Sequence, residues 1–404
     1  MTVTYQTRDP HGALVQYVDR KRGRWLLSVA YPLLPLTGMA AHAASGSALA
    51  LGLPLVISYG LMPLVDALVG EDHNNPDERI VPQLDADPYY RRLTWLTVPL
   101  HVLALIACAW WAGSHELTAG PLVLFAFAAG ANSGLGINTG HELGHKQTRL
   151  EQWLARIVLA VPFYGHFTVE HVRGHHRWVA TPEDHASARM GESIYRFALR
   201  ELPGGIARAW QLEGERLRQR GLSRWDIRNT ILQSYAMSLL LQGGLVLAFG
   251  WVMVPFLAVH NAVAWWQLTS ANYVEHYGLL RQRLADGRYE PPQPHHSWNT
   301  NHEVSNLALF HLQRHSDHHA HPLRRYQSLR DFPDLPRLPS GYFGMFPLSY
   351  APPLWYRVMD PRLLALPQVQ GDLARVNLCP RARARLLARY AAPATVGARP
   401  VRPR

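Results

Sequence analysis

The chain has 404 residues, a formal net charge of +11 and only two cysteines. Two cysteines exclude a disulfide framework and a cysteine-based metal site. The positive charge is spread over loops instead of forming one stripe, which argues against nucleic-acid binding and fits a face near anionic lipid or an acidic protein partner.

Long stretches without Asp, Glu, Lys or Arg dominate the first two thirds of the chain. Five such blocks cover residues 25–44, 46–65, 94–114, 117–140 and 229–274. A membrane-crossing helix needs about 20 apolar residues, so the fifth block has room for two spans with a turn near Gly250. Buried helices of soluble proteins rarely have uncharged runs of this length, and we therefore predict six membrane spans.

Basic residues set the predicted orientation of these spans. Four of the five residues 20–24 are Arg or Lys, which places the N-terminal flank in the cytoplasm under the positive-inside rule. The polar regions 71–92 and 141–228 and everything after residue 274 then fall on the same side. The predicted fold is all-α, a six-transmembrane-helix bundle with a cytoplasmic-side helical cap. We expect residues 1–380 to form a single integral-membrane domain and residues 381–404 a basic, disordered tail.

Nine histidines form four tight clusters that lie just past an apolar block or in the polar regions away from the blocks, all on the predicted cytoplasmic side. Imidazole is the commonest protein metal ligand, and nine rings are too many for one ion and suit two. Residues three or four apart share a helix face, so each cluster can present its rings together. The nine are His141, His145, His171, His175, His176, His276, His315, His318 and His319.

Helical geometry also predicts which rings share an ion. His141 and His145 are four residues apart, as are His171 and His175, so each pair can bind one ion, while His176 points about 100° further round toward a second. The three rings of the fourth cluster are expected on one face. Metal-bound histidines usually donate their other N–H to a carboxylate or carbonyl, with ordinary surface charge as the alternative reading of nearby acids. The candidate carboxylates are Glu142, Glu170, Asp184, Glu275 and Asp317.

Two other functions use part of this pattern. His141-Glu142-x-x-His145 matches the zinc-protease motif, in which the glutamate is the general base, but that reading leaves most of the clustered histidines without a role. A metal transporter places its ligands near the bilayer midplane, whereas these follow the ends of the spans. All-imidazole sites suit Zn, Cu, Fe or Ni, and two adjacent ions beside an apolar bundle favour iron and oxygen chemistry on an apolar substrate.

Six stretches resemble the bacterial alkane 1-monooxygenases, a group within the integral-membrane, histidine-rich diiron family of desaturases and hydroxylases. They are HELGHK (141–146), EHVRGHH (170–176), NYVEHYG (272–278), LQRHSDHHA (312–320), GEDHNNPDE (70–78) and GYFGMFPLSYAPPLWYRVMDP (341–361). The likeness extends over residues 15–380, and no histidine cluster is broken. It implies six spans, two iron ions with the nine histidines as ligands, and a bacterial inner-membrane protein with its active site toward the cytoplasm.

The resemblance also implies the reaction. An n-alkane would be hydroxylated at its terminal methyl group to a primary alcohol, with O₂ and with electrons from rubredoxin, itself reduced by an NADH-dependent reductase. The chain lacks the four cysteines of a fused rubredoxin, so this partner is expected elsewhere. A fatty-acyl desaturase or hydroxylase and an alkyl-aromatic side-chain monooxygenase would share the metal core and remain open. The alkane slot must hold the chain end-on, and Tyr59, Trp110 and Trp265 are candidates to close it.

Overall fold

The computed structural model describes residues 2–390, most of which are helical. An antiparallel hairpin of β1 (Val3–Arg8) and β2 (Leu14–Asp19) precedes the helices. The α-helices are α1 (Leu26–Ala30), α2 (Pro35–Ser45), α3 (Leu53–Val56), α4 (Met62–Val69), α5 (Val81–Ala86), α6 (Pro88–Ser114), α7 (Ala119–Gly144), α8 (Arg149–Ala160), α9 (Phe167–Glu170), α10 (His176–Trp178), α11 (Ile194–Arg218), α12 (Thr230–Phe249), α13 (Met253–His276), α14 (Glu303–Ala308), α15 (His315–Ala320), α16 (Tyr342–Ser349), α17 (Pro352–Leu364) and α18 (Arg383–Tyr390). Two π-helical turns cover Ile57–Leu61 and His171–His175, and 3₁₀ turns cover Arg22–Trp25, Tyr31–Leu33, Ala48–Gly52, Pro294–His296, Tyr326–Ser328, Leu373–Arg375 and Pro380–Ala382.

Four helices within residues 2–390 are long and apolar enough to cross a membrane. One runs through α3 and α4 as Ala48–Val69, and the others are α6, α7 and α12. Arg22–Leu33 and Pro35–Ser45 meet at a bend of 58° and make a fifth span if they cross together. The sixth predicted span is α13. Because it contains several polar side chains, its hydropathy is lower than that of the four helices above. The turn predicted near Gly250 is confirmed, because this residue ends α12 with a φ of 84°.

Helices α7 and α13 pack along the centre of the bundle, and both carry clustered histidines at their C-terminal ends. Their backbones approach closely at two glycines. A Cβ on Gly130 would lie 2.4 Å from the carbonyl oxygen of His260, and a Cβ on Gly134 would lie 2.5 Å from Cβ of Gln267. Because small residues are what permits such close helix contacts, these two glycines fix how near the histidine-bearing ends can come.

Residues 277–390, which follow α13 and are called the cap below, pack against the histidine-bearing ends of α7 and α13. The largest apolar core lies between this cap and α13, around the fully buried Trp298 and Trp355. The rings of Tyr273 and Tyr277, at the end of α13, lie 5.1 and 5.4 Å from that of Trp355. The end of the last long helix is therefore held by aromatic packing on the cap.

The C-terminal tail, predicted to be disordered from residue 381, is helical where it begins. Residues 383–390 form α18, and Leu386 is buried against Gly191. Residues 391–404, for which disorder was also predicted, lie outside the described residues.

Candidate metal centre

All nine clustered histidines converge, from four separate parts of the chain. They form two groups, and within each group the ligand nitrogens lie within 4.8 Å of one another. The groups adjoin, since the ring centroids of His176 and His319, one from each group, are 4.3 Å apart. Two neighbouring groups of this size fit two adjacent metal ions. The first group is His141, His145, His171, His176 and His318, and the second is His175, His276, His315 and His319.

The spacing of the ring nitrogens is that of ligands around an ion. Nε2 of His141 lies 2.9 Å from Nε2 of His318 in the first group. Nε2 of His319 lies 2.9 Å from Nε2 of His315 in the second. Two ligands bound at about 2.1 Å and at right angles are about 3.0 Å apart. Nε2 of His145 is buried and has no hydrogen-bond partner within residues 2–390, as expected for an atom that binds metal.

Burial favours the neutral form, which binds metal, in most of these rings; at His175 burial is outweighed by Asp184, which raises the pKa of that ring. His175 and His276 have no exposed surface, and most of the others are buried nearly as fully. Burial, helped by the neighbouring rings, holds the pKa of His171, His318 and His319 well below the ordinary value for histidine. Because a metal binds the neutral imidazole, these rings are in the ligating form at neutral pH.

The division of the second cluster differs from the prediction made from α-helical spacing. His171 joins His176 in the first group, with their Nε2 atoms 3.0 Å apart, while His175 belongs to the second group. The predicted sharing of one ion by His171 and His175 is therefore wrong. The reason is the π-helical turn His171–His175, because i→i+5 bonding widens the turn and brings residues five apart onto one side.

The fourth cluster, predicted to share one face, is divided as well. His315 and His319 belong to the second group and His318 to the first. The short helix α15 thus lies across the boundary between the groups and contributes rings to both.

Two of the five predicted carboxylates contact a clustered ring. Oδ2 of Asp184 lies 2.8 Å from Nδ1 of His175. Oε2 of Glu275 lies 3.3 Å from Nε2 of His315, while its Oε1 accepts a hydrogen bond from the hydroxyl of Tyr342. The other three carboxylates pair with cations instead. Glu142 contacts Lys146, Glu170 contacts Arg208, and Asp317 contacts Arg324.

Comparison with known proteins identifies the family. The family model described as fatty acid desaturase matches residues 116–349. The chain is 52% identical over 367 residues to alkane 1-monooxygenase 1 of Alcanivorax borkumensis, covering 91% of this chain and 90% of that protein. It is 53% identical over 363 residues to the alkane 1-monooxygenase of Ectopseudomonas oleovorans, covering 90% of each. The chain belongs to the alkane 1-monooxygenase family.

Family membership makes the chain a membrane-bound oxidoreductase, and with the histidine groups it indicates an iron site. A more distant relative is the hydroxylase component of a xylene/toluene monooxygenase from Pseudomonas putida. It is 29% identical over 286 residues, which cover 67% of this chain and 73% of that protein.

An apolar cavity adjoins the histidine groups of this alkane 1-monooxygenase family member. It touches His141 and His171 of the first group and His315 of the second. A molecule in the cavity would therefore meet both groups at one end. The other walls include Tyr31, Tyr59, Leu135, Phe167, Leu268, Leu312, Phe343 and Phe346.

Of the three aromatic residues predicted to close the slot, Tyr59 lines this cavity and the other two do not. The hydroxyl of Tyr59 donates a hydrogen bond to Oε1 of Gln267 on α13, which ties two spanning helices together across the cavity wall. Trp110 is 49% exposed on the outside of the bundle. Trp265 lines a second, separate pocket.

Sequence reasoning missed a buried ionic network that holds α15. The guanidinium of Arg314, directly before His315, is completely buried and lies 2.8 Å from a carboxylate oxygen of Asp72. The ammonium of Lys21 contacts the same oxygen. Because α15 carries three of the nine rings, this network connects the N-terminal segment to both histidine groups. Asp72 lies in the polar stretch 70–78, where a charge is ordinarily expected to face solvent.

A third set of possible ligands, Glu290, His295 and His296, lies outside the two groups. The backbone N–H of Gln293 donates to Nδ1 of His296 at 2.9 Å. The ring proton is therefore on Nε2, which faces Glu290 at 3.2 Å. A protonated nitrogen has no lone pair for a metal, so His296 in this form is not a metal ligand.

Proposed function

We propose that the enzyme hydroxylates the terminal methyl group of straight-chain alkanes to primary alcohols, using O₂, at two iron ions held by the nine histidines. The observation that carries the proposal is an apolar cavity that meets rings of both histidine groups. The relatives named alkane 1-monooxygenase, at 52% and 53% identity, support this substrate class.

The donor set supports a pair of iron ions. Five and four imidazoles in adjoining groups provide a separate set of ligands for each ion, and imidazole is a suitable ligand for iron. Bound there, the ions would supply the redox chemistry that activates O₂. Asp184 accepts from Nδ1 of His175 and leaves Nε2, which has no other partner in the described chain, as the ligating atom.

The residues that line the cavity orient the alkane and add little to its binding free energy. Burying an alkane is favourable by about 0.8 kcal/mol per CH₂ relative to water, but nearly neutral for an alkane that arrives from lipid. The shape of the cavity must therefore select the substrate. Phe167 lies against His171, with ring centroids 5.0 Å apart, and Phe343 and Phe346 form other walls. Apolar walls of this kind exclude water and hold a chain so that its end faces the rings, which is control by position.

Rubredoxin is the proposed electron donor, and the proposed location is the bacterial inner membrane, with six spans and the cap toward the cytoplasm. The basic flank 20–24 supports this orientation because it lies at the same end of the bundle as the cap, with Lys21 bound into the cap through Asp72. The net charge of +11 supports an acidic redox partner, because opposite charges accelerate association.

A hydroxylase of alkyl-aromatic side chains is the second candidate, and the xylene/toluene relative favours it. A zinc protease is disfavoured by the position of Glu142. Its carboxylate pairs with Lys146 at 3.1 Å, whereas a general base must face a metal-bound water. A transporter is disfavoured because both histidine groups lie under the cap and not midway along the spans.

The test combines metal content with products. His276→Ala and His318→Ala each remove one ring, from the second and the first group respectively, and each should lose iron and turnover. His42→Ala is the matched control, because its ring accepts a hydrogen bond from Trp111 at 3.2 Å and lies outside both groups. Iron per chain and Mössbauer spectra of the two sites give a readout independent of activity.

Substrate class is read from the products of octane, octanoic acid and a xylene, with rubredoxin, its reductase and NADH supplied. We expect 1-octanol from octane. Full activity in either histidine variant, one zinc in place of iron, or oxidation of the xylene but not of octane would overturn the proposal.

A further inference from the structure

A second apolar pocket has no role in the proposed reaction. It lies where the connection between α8 and α9 meets α11, α12 and α13. The residues around it are Phe163, Tyr164, His166, Leu202, Ile206, Tyr235 and Trp265.

The pocket opens beside an amphipathic helix with exposed apolar residues. On α11, Leu199 is 80% exposed and Ile206 is 44% exposed. Tyr235 is in the second turn of the spanning helix α12, so the mouth lies at the level where that span begins. Exposed apolar residues on an amphipathic helix at this level are typical of contact with the boundary between lipid headgroups and acyl chains.

Two hydrogen-bonded side chains, His166 and Tyr235, face this otherwise apolar pocket. His166 is 3% exposed, and its Nδ1 lies 2.8 Å from the hydroxyl of Tyr235. Nε2 of His166 has no hydrogen-bond partner within residues 2–390. If Tyr235 donates to Nδ1, then Nε2 carries the proton and donates; if Tyr235 accepts, then Nε2 accepts. A hydroxyl group suits both cases because it donates and accepts, whereas an alkane offers neither.

The pocket is separated from the reaction cavity by a thin aromatic layer. Tyr164 lines the pocket and Phe167 lines the cavity, and their ring centroids are 6.0 Å apart. The ring of Trp265, which also lines the pocket, lies 5.9 Å from that of Tyr164. A molecule leaving the cavity therefore needs to pass only this layer to reach the pocket and the membrane boundary.

We propose that this pocket binds the primary alcohol product on its way from the reaction cavity to the membrane, with the hydroxyl on His166 and the alkyl chain along Leu202, Ile206 and Trp265. The assignment rests on the proposed function, which supplies an alkyl chain with one terminal hydroxyl. The geometry matches that chemistry: apolar walls, one buried polar group without a second partner, and a mouth at the lipid boundary.

The experiment is photolabelling of the iron-loaded enzyme in lipid nanodiscs, without rubredoxin or NADH, so that binding is measured independently of turnover. The probes are a 1-octanol with an aliphatic diazirine and the corresponding diazirine alkane. Labelled peptides are mapped by mass spectrometry. Ile206→Trp fills the pocket, and Leu199→Trp, two turns earlier on the same helix, is the matched control. His166→Phe removes the polar partner and keeps the ring.

We expect the alcohol probe to label peptides containing residues 163–166, 202–206 or 235. Ile206→Trp should abolish this labelling while Leu199→Trp leaves it unchanged. His166→Phe should weaken the alcohol probe by about three- to tenfold, the value of one hydrogen bond, and leave the alkane probe unaffected.

The proposal is overturned if the alcohol labels only the reaction cavity, if both probes label the pocket equally in the unmodified enzyme, or if lysophospholipid displaces the label better than 1-octanol does. Failure of the proposed reaction appears separately, as absence of 1-octanol from octane in the turnover assay.

Discussion

Asp72→Asn removes a negative charge that lies between two buried cations. The side chain of Asp72 is 7% exposed, that of Lys21 6%, and that of Arg314 0%. Arg314 directly precedes His315, the first ring of α15. The substitution lies outside both histidine groups, so it tests whether the ionic network holds the metal centre in place.

The expected loss follows from burial. Removing one partner of a buried ion pair costs about 3–5 kcal/mol, because an unpaired charge remains away from water. Arg314 cannot relieve this by losing its proton, but Lys21 can. Burial, together with the charge of Arg314, already lowers the pKa of Lys21 to about 8. Without Asp72 this pKa falls further, so the folded variant binds fewer protons than its unfolded state and gains stability as pH rises.

The assay is unfolding of the detergent-solubilised protein, with iron per chain measured on the same samples. We expect Asp72→Asn to lower the free energy of unfolding by about 3–5 kcal/mol near pH 7. Near pH 8 the difference in unfolding free energy between this variant and the unmodified protein should be smaller. The variant should also bind less iron. The matched control is Asp77→Asn in the same loop. Its carboxylate pairs with Arg79 in solvent, with both side chains more than one third exposed, and no measurable change is expected. Equal stability and iron content in the two variants would refute the reasoning.

Three further predictions concern other parts of the enzyme. Asp184→Asn should lower the affinity of the second histidine group for its metal by about 10–100-fold, because the carboxylate orients His175; iron retention during titration with a chelator checks this. Burial alone would raise the pKa of Glu213, but hydrogen bonds from Arg216 and Thr230 outweigh it and lower this pKa to about 2. The ionised Glu213 side chain therefore stabilises the fold above the unfolded pKa of 4.5, and this stabilisation is lost as pH falls. The Tm difference between the unmodified protein and Glu213→Gln should shrink on acidification. Tyr59→Ala should enlarge the cavity and raise the yield of hexadecanol over octanol from mixed alkanes, while Trp110→Ala, outside the cavity, should not.

The sequence alone predicted the spanning helices and the nine histidines that converge in the structure. Uncharged runs of about 20 residues are a local signal for spanning helices, and the nine histidines are recognisable because their close spacing is local too. The helical bundle and the candidate ligands were therefore predicted by residue number. The family resemblance, which supplied the reaction, rests on the same short stretches.

Only the tertiary structure decided how the rings are shared. His175 and His176 exchanged their predicted places because one π turn changes the helical period by about one residue, and the sequence does not display that change. The carboxylate partners, the Asp72 network and both cavities depend on contacts between distant segments, such as those of Asp72 and Arg314, which are 242 residues apart. Contacts of that kind follow from how helices pack, here through Gly130 and Gly134, and side-chain packing is not encoded in any local pattern of residues.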